Sequence, residues 1–344
     1  MSNIEFLTSM SSLPDLTLVC CVEHGRLESQ TLLMVKSLRE FGGALSQLPV
    51  MAVVGRIGAP LGQDTLREFA RLDVNLVYSP HRANPAPWFN YANKVVAVSL
   101  ANRIAKSKTI AWIDSDILFA AQPDGLILTD LEDFAARCEP IIGSVELGKT
   151  KNEAYWRELC KVTASDYDEL IWIDQKNNTR KILYFNSGVF IWRRGTNFAA
   201  NYVDAFSKVL RSRIAQADGS FFAADQIILN GVITRSKLRW RHMRYQDHHM
   251  IFPGLLEGEI AAPHMGQSSI LHYSGSLSDP YRATFLDRLR HEAPELAAWF
   301  AKAEGLPAVG GGVLIRLAAK WLKIWRGMQW RLFEWRIIRI VDAE

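Results

Sequence analysis

An α/β fold, with a mostly parallel central sheet flanked by helices and a C-terminal amphipathic helix, is what this sequence predicts. Two observations in its first half carry that expectation. Apolar runs the length of a buried strand alternate with segments of helical periodicity, and the connections between them are short. That alternation builds right-handed βαβ units and hence a parallel sheet. A third observation, a basic and Trp-rich stretch of helical periodicity at the C-terminus, adds the last helix.

Leu16–Val22 (LTLVCCV) reads as a buried strand, and Ser29–Phe41 as a helix with Leu32, Leu33, Val35, Leu38 and Phe41 on about one face. Pro49–Val54, Asp64–Leu72 and Val74–Tyr78 continue as strand, short helix and strand. After the turn-rich SPHRANPAP, Phe89–Ala105 is a longer helix and Thr109–Ile113 a fourth strand. The second half is less regular. Pro140–Val145 reads as a strand, 146–181 as polar and irregular with a helix near Glu153–Lys161, and Leu183–Trp192 as a strand pair or bent strand. Helices are expected over Asn197–Ile214 and Phe221–Val232. Basic residues alternate with Leu238, Trp240 and His242, Ser269–Tyr273 is a short strand, and helices follow around Tyr281–Arg290 and Glu295–Ala303. A break at Val309–Gly312 divides a domain over residues 1–308 from a hinge and tail over 309–344.

Charge sharpens that division. The chain has 344 residues, 40 Lys+Arg against 36 Asp+Glu and a net charge of +4. Residues 313–344 hold seven basic and three acidic side chains, so they carry the whole excess, together with four of the eleven Trp. A neutral body does not suit a general nucleic-acid binder. No run is long and apolar enough for a membrane span, and the N-terminus lacks the pattern of a signal peptide. Cys20, Cys21, Cys138 and Cys160 have no metal spacing and read as buried thiols.

Ligands of such sheets bind beyond the carboxyl ends of the strands, and four segments there carry chemistry. Asp114-Ser115-Asp116 directly follows the TIAWI strand. Two carboxylates one residue apart reach a single hard cation such as Mn²⁺ or Mg²⁺, although a turn with two capping acids has the same pattern. Phe185-Asn186-Ser187-Gly188 puts small residues inside an apolar strand, as a ligand approaching the backbone or a plain bulge requires. Asp225 and Gln226 stand at a helix start, as ligand-binding or capping groups. His272, followed by Gly275, ends a strand and offers a neutral imidazole to a cation, or is structural. By the strand-end rule alone, Val22, Glu23 and the residues to Arg26 face a nucleobase and ribose.

Taken in this order and with these gaps, the four segments over residues 16–275 resemble the GT-A (Rossmann-like) nucleotide-sugar glycosyltransferases. The likeness is greatest to the retaining group that contains glycogenin and the lipopolysaccharide galactosyltransferases (glycosyltransferase family 8-like). The resemblance implies that Asp114, Ser115 and Asp116 form the DxD motif, and that Asp114, Asp116 and His272 ligate Mn²⁺ or Mg²⁺. It implies that Phe185–Gly188 lines the sugar pocket and that Asn186, Asp225 and Gln226 orient donor sugar and acceptor. A nucleoside-diphosphate sugar, with UDP-sugar favoured, and a glycan or lipid-linked acceptor follow from it. So does retention of anomeric configuration. The chain departs from the family where a diphosphate-holding Lys is usual: Ser278 stands there, and Lys94 is the candidate substitute. A sugar-1-phosphate nucleotidyltransferase would need a Gly-rich loop after the first strand, and CCVEHGRLES is not one. A non-catalytic nucleotide-sugar-binding protein of the same fold is the remaining alternative.

His242, His248 and His249 lack the spacing and acidic partners of a second metal site. Lys237, Arg239, Arg241 and Arg244 form a solvated face or a seat for an anionic acceptor. In the tail, Leu314, Leu317, Trp321, Trp325, Met328, Leu332 and Trp335 fall on one side of a helix, with Arg316, Lys320, Lys323 and Arg331 opposite. That pattern suits an anionic membrane surface, which places the protein on the cytosolic face of a bacterial-type inner membrane. Docking on the body is disfavoured, because buried cations would need acidic partners. Truncation near residue 310 is therefore expected to spare metal and nucleotide binding.

Overall fold

The computed structural model describes residues 13–138, 153–174, 178–215, 221, 224–256, 264–303 and 313–338. The strand expected at Pro140–Val145 and the Gly hinge lie outside them. In chain order the elements are β1 (Leu16–Cys21), α1 (Arg26–Phe41), β2 (Val50–Val54), α2 (Gln63–Arg71), β3 (Val74–Tyr78), α3 (Ala92–Ile104), β4 (Thr109–Ile113), β5 (Ile117–Phe119) and β6 (Phe134–Cys138). They continue with α4 (Glu153–Thr163), β7 (Ile171–Asp174), β8 (Thr179–Ile182), β9 (Phe185–Arg193), α5 (Phe198–Ser212), α6 (Ala224–Arg235) and β10 (Trp240–His242). Last come β11 (His249–Met250), α7 (Pro253–Leu256), β12 (Ile270–His272), α8 (Arg282–Glu292), α9 (Pro294–Ala303) and α10 (Val313–Glu334).

Seven strands form the main sheet in the order β10-β6-β9-β4-β1-β2-β3. The β1–β2, β2–β3, β1–β4 and β6–β10 pairs are parallel, whereas β9 runs antiparallel between β4 and β6. Every residue of β1 is buried, as a central strand covered on both faces requires. One face packs against α1 and α2 through Leu32, Leu38 and Phe69, and the other against α3, α5 and α6 through Val98, Phe206 and Ile228. A small sheet, β11-β12-β5, is covered by α8 and α9 through Phe285 and Phe300. All four cysteines are free and buried.

The strand pair or bent strand expected at Leu183–Trp192 is one strand, β9, over Phe185–Arg193. The sequence reading missed β5, β6 and the β7–β8 hairpin. Strand β6 (FAARC) carries no β-branched residue, and its Arg137 is buried, donating 2.8 Å to the His248 carbonyl and lying over the Tyr245 ring.

Helix α10 corrects the expectation of a tail standing off the body. Trp330 stacks on Phe89 at 5.4 Å, and Phe333 packs on Trp88 and Phe221, each at 4.8 Å. Just beyond the helix, the Ile338 amide donates to the Arg213 carbonyl at 2.9 Å. The charge argument fails because little charge is buried. Of the described tail cations only Arg326 turns inward, 3.6 Å from Glu23 Oε2, while Arg316, Lys320, Lys323, Arg331 and Arg336 stay exposed. The predicted apolar stripe stays outside: Trp321 is 70% exposed and Trp335 83%. No helix among the described residues is long and apolar enough to cross a membrane.

Candidate active site

Strand directions bring the four segments together. β4 ends at Ile113, so Asp114–Asp116 leave the carboxyl edge of the sheet. β9 runs the other way, so Asn186–Gly188 at its start lie beside that edge, with Ile113 opposite Val189 and the Asp114 amide donating to the Gly188 carbonyl at 2.8 Å. β12 pairs antiparallel with β5, setting His272 opposite Ile117 and its ring beside Asp116. Donor atoms of Asp114, Asp116 and His272 lie within 4.8 Å of one another, and no other such cluster occurs among the described residues. Two carboxylates and an imidazole at this spacing fit a divalent cation.

The surrounding bonds orient these donors. His272 Nε2 is 3.2 Å from Asp116 Oδ1, and its Nδ1 is 3.0 Å from His248 Nε2. A partner on Nδ1 fixes the tautomer that leaves Nε2 for a cation. Burial pushes the His248 pKa well below the usual imidazole range, so His248 is neutral. Burial also opposes charge on His272, but Asp116 and Asp114 outweigh it and raise its pKa. Burial raises the Asp114 carboxyl, with Lys94 offsetting only part, whereas His272 overcomes burial to hold Asp116 below the usual range. Trp112 Nε1 donates to Asp114 Oδ1 at 2.7 Å.

Lys94 ties three of the segments. Its ammonium lies 2.8 Å from Asp225 Oδ2, 2.9 Å from both the carbonyl and Oγ of Ser187, and 3.3 Å from Asp114 Oδ1. Asp114 and Asp225 outweigh burial and keep its pKa above the ordinary lysine value. Lys94, expected as a cation for the diphosphate, lines the cavity beside Asp114 and gives its protons here to protein acceptors. Ser187 Oγ donates to Asp225 Oδ2 at 3.0 Å, and the Ser187 amide donates to Gln226 Oε1 at 3.2 Å. Asp225 is fully buried and its Oδ1 has no partner among the described residues. Asn186 Oδ1 accepts the Gly188 amide at 2.8 Å, closing a turn inside the strand.

Gly188 serves a nearer neighbour than a ligand. A Cβ there would stand 2.3 Å from His272 Cε1, so its missing side chain is what admits the imidazole. Ser115 Oγ donates to the Cys21 carbonyl at 3.0 Å, fastening the end of β4 to that of β1. Gly275 turns the chain after β12 at φ +89°, a left-handed conformation that favours glycine. Val22, expected at the nucleobase, is wholly buried in the core with its amide on the Val53 carbonyl, and lines neither cavity. Glu23 stands at the edge and lines both cavities. Its carboxylate takes Arg56 Nε at 2.7 Å and Nη2 at 2.9 Å, and also accepts from Asn93. Arg56 follows β2, so the strand-end rule applied to that strand would have found it.

Asp114, Asp116, Trp112 and Lys94 line a cavity of about 350 Å³, which Glu23, Arg56 and Asn90 share with a larger one of about 710 Å³ under α10. The basic alternation near β10 is a neutralised face, with Arg239 on Asp133, Arg241 on Glu132, Arg244 on Asp247 and Lys237 on Glu169. His248 braces His272 and His249 bonds Ser268 Oγ at 2.8 Å, so neither joins a second metal cluster.

Residues 18–237 match the model of the Rhodobacterales glycosyltransferase domain. No curated protein matches the chain in sequence. Among solved structures, the galactosyltransferase LgtC in complex with donor and acceptor sugar analogs is similar at a TM-score of 0.51 and 14% identity, over 87% of this chain and 99% of that one. The glycosyltransferase GlyE of Streptococcus pneumoniae TIGR4 is similar at a TM-score of 0.48 and 13% identity, over 87% of this chain and 66% of that one. The likeness to LgtC shows the fold, and the domain match spans well over half of the chain. The chain belongs to the Rhodobacterales glycosyltransferase domain family and has the GT-A glycosyltransferase fold.

Proposed function

We propose that this glycosyltransferase is metal-dependent and moves a sugar from a nucleoside-diphosphate sugar, UDP-sugars favoured, to a glycan or lipid-linked acceptor of bacterial surface polysaccharide or lipopolysaccharide. The observation that carries this reading is the Asp114–Asp116–His272 cluster at the carboxyl edge of β4, opening on a cavity at the strand ends. Those three residues would hold Mn²⁺ or Mg²⁺, which supplies charge neutralisation for a leaving diphosphate. Lys94 holds Asp114 and Asp225 in place as a positioning residue. Asp225 Oδ1, buried without a partner, is an acceptor that a sugar hydroxyl would satisfy. Gln226, anchored through Oε1 on Ser187, stands beside it. Retention of anomeric configuration belongs to this reading through the family resemblance. The exposed apolar stripe of α10, flanked by Arg316, Lys320, Lys323 and Arg331, supports peripheral attachment to an anionic inner-membrane surface from the cytosol.

The test is sugar transfer or donor hydrolysis with a panel of UDP- and GDP-sugars, with and without Mn²⁺. The expected result is turnover that requires the metal and falls by at least about 100-fold, some 2.7 kcal/mol, in Asp114→Ala and Asp116→Ala. Turnover unchanged in both variants would remove the metal assignment.

A further inference from the structure

Strand β4 alternates its side chains between the two faces of the sheet, Ile110 and Trp112 entering the core on the α3 side, Ala111 and Ile113 the core on the α1 side. Asp114 follows in the same alternation and leaves the strand on the face of Trp112. Trp112 is 2% exposed, and its ring stacks on Phe190 at 6.4 Å across the β4–β9 pair. A ring buried so deeply carries one polar atom that needs an acceptor, and Nε1 finds it in Asp114 Oδ1 at 2.7 Å. A bond to a carboxylate is stronger than one between neutral groups. Lys94, the other donor to Asp114, stands 3.3 Å from Oδ1 and 3.5 Å from Oδ2, but 2.8 Å from Asp225. The indole therefore holds the Asp114 carboxylate more closely than the ammonium does. The same ring offers its face to that ammonium, 5.3 Å from the ring centre.

We propose that Trp112 is a positioning residue for the cation, its indole N–H fixing the Asp114 carboxylate in the rotation that keeps an oxygen within reach of Asp116 and His272. The inference rests on the metal reading above and adds to it a residue that touches no cation itself. A carboxylate without that bond is free to turn about its Cβ–Cγ bond toward Lys94, and the three donor atoms then no longer converge. Groups that hold a metal's ligands are worth about 10–100-fold in affinity.

The neighbouring strand supplies a matched control. Trp192 on β9 is as deeply buried, and its Nε1 donates to Asn102 Oδ1 at 3.0 Å, on α3 and outside both cavities. Trp112→Phe and Trp192→Phe each keep an aromatic ring and remove one buried N–H. In a third protein benzothienylalanine replaces Trp112, which puts sulfur in place of the N–H in a ring of the same shape and keeps the test open if Trp112→Phe fails to fold. Mn²⁺ is titrated by calorimetry into each protein and its parent, alone and beside UDP or GDP, and thermal midpoints are recorded. The expected result is Mn²⁺ affinity about 10–100-fold weaker in both proteins altered at Trp112 and changed by less than about twofold in Trp192→Phe. Parental Mn²⁺ affinity in the benzothienylalanine protein, or an equal loss in Trp192→Phe, overturns the inference and leaves the metal reading standing. A parent that binds Mn²⁺ neither alone nor beside UDP or GDP overturns the metal reading, and this inference with it.

Discussion

Single residues decide whether the three donor atoms meet. Gly188 is the tightest case, since the added methyl of Gly188→Ala would stand 2.3 Å from His272 Cε1 and 2.6 Å from Nδ1. That ring is also held by His248, so it cannot retreat freely. Gly188→Ala is expected to cost about 1–3 kcal/mol of stability by overpacking and to weaken Mn²⁺ binding by about 10–100-fold. Calorimetry and denaturant unfolding read the two effects, and a variant with wild-type Mn²⁺ affinity would contradict the packing argument. His249 governs a separate property. Burial lowers its pKa to about 3, so the unfolded chain takes up a proton below the ordinary value of 6.5 that the folded chain refuses. Stability is therefore lost as pH falls from 6.5 toward 3, at about 1.4 kcal/mol per pH unit from this residue. Denaturant unfolding at pH 6.5 and pH 5 should show a drop that is smaller by about 2 kcal/mol in His249→Gln. An equal drop in both proteins would place the acid sensitivity elsewhere.

At the scale of elements, α10 carries two stripes, one docked on the body and one exposed. Ile315, Ala319, Leu322, Arg326, Trp330 and Phe333 recur at three- and four-residue spacing and, with Gln329, are its partly buried positions. Leu314, Leu317, Trp321, Trp325, Met328, Leu332 and Trp335 recur with the same spacing about half a turn away and are exposed. The net basic charge drew attention to the second stripe, and nothing in composition distinguished the first from it. Only the rings waiting on the body, Trp88, Phe89 and Phe221, decide which stripe docks. Trp330→Ala is expected to cost about 2 kcal/mol, less than the 3–5 of a fully buried Trp. The double variant Trp321→Ala, Trp325→Ala should stay within about 0.5 kcal/mol of the parent yet sediment less with anionic liposomes. Unchanged liposome binding would return the outer stripe to plain surface. Truncation near residue 310, expected to spare metal and nucleotide binding, would also uncover the rings of Trp88, Phe89 and Phe221 on the body.

For the molecule as a whole, the sheet is a device for convergence. β4 and β9 run in opposite directions, so segments separated by some seventy residues of sequence meet at one edge, and β12 on β5 adds the imidazole. The four segments were legible in the sequence because each stands next to an apolar strand or at a helix start, where chemistry-bearing residues are out of pattern. Their partners were not. Whether Lys94 turns toward the diphosphate or toward Asp225, and whether His248 belongs to a second cluster or braces His272, are matters of tertiary packing. β6 escaped notice for a similar reason: its Ala-Ala-Arg core has low strand propensity and is stabilised by β9 and β10 on either side. The central claim is that the convergent edge is a metal-dependent donor site. Calorimetric titration of UDP and GDP into the full chain, with and without Mn²⁺, tests it most directly. Binding of at least one nucleotide that requires Mn²⁺ and is lost in Asp116→Ala is the predicted result; binding indifferent to the metal and to Asp116 would contradict it.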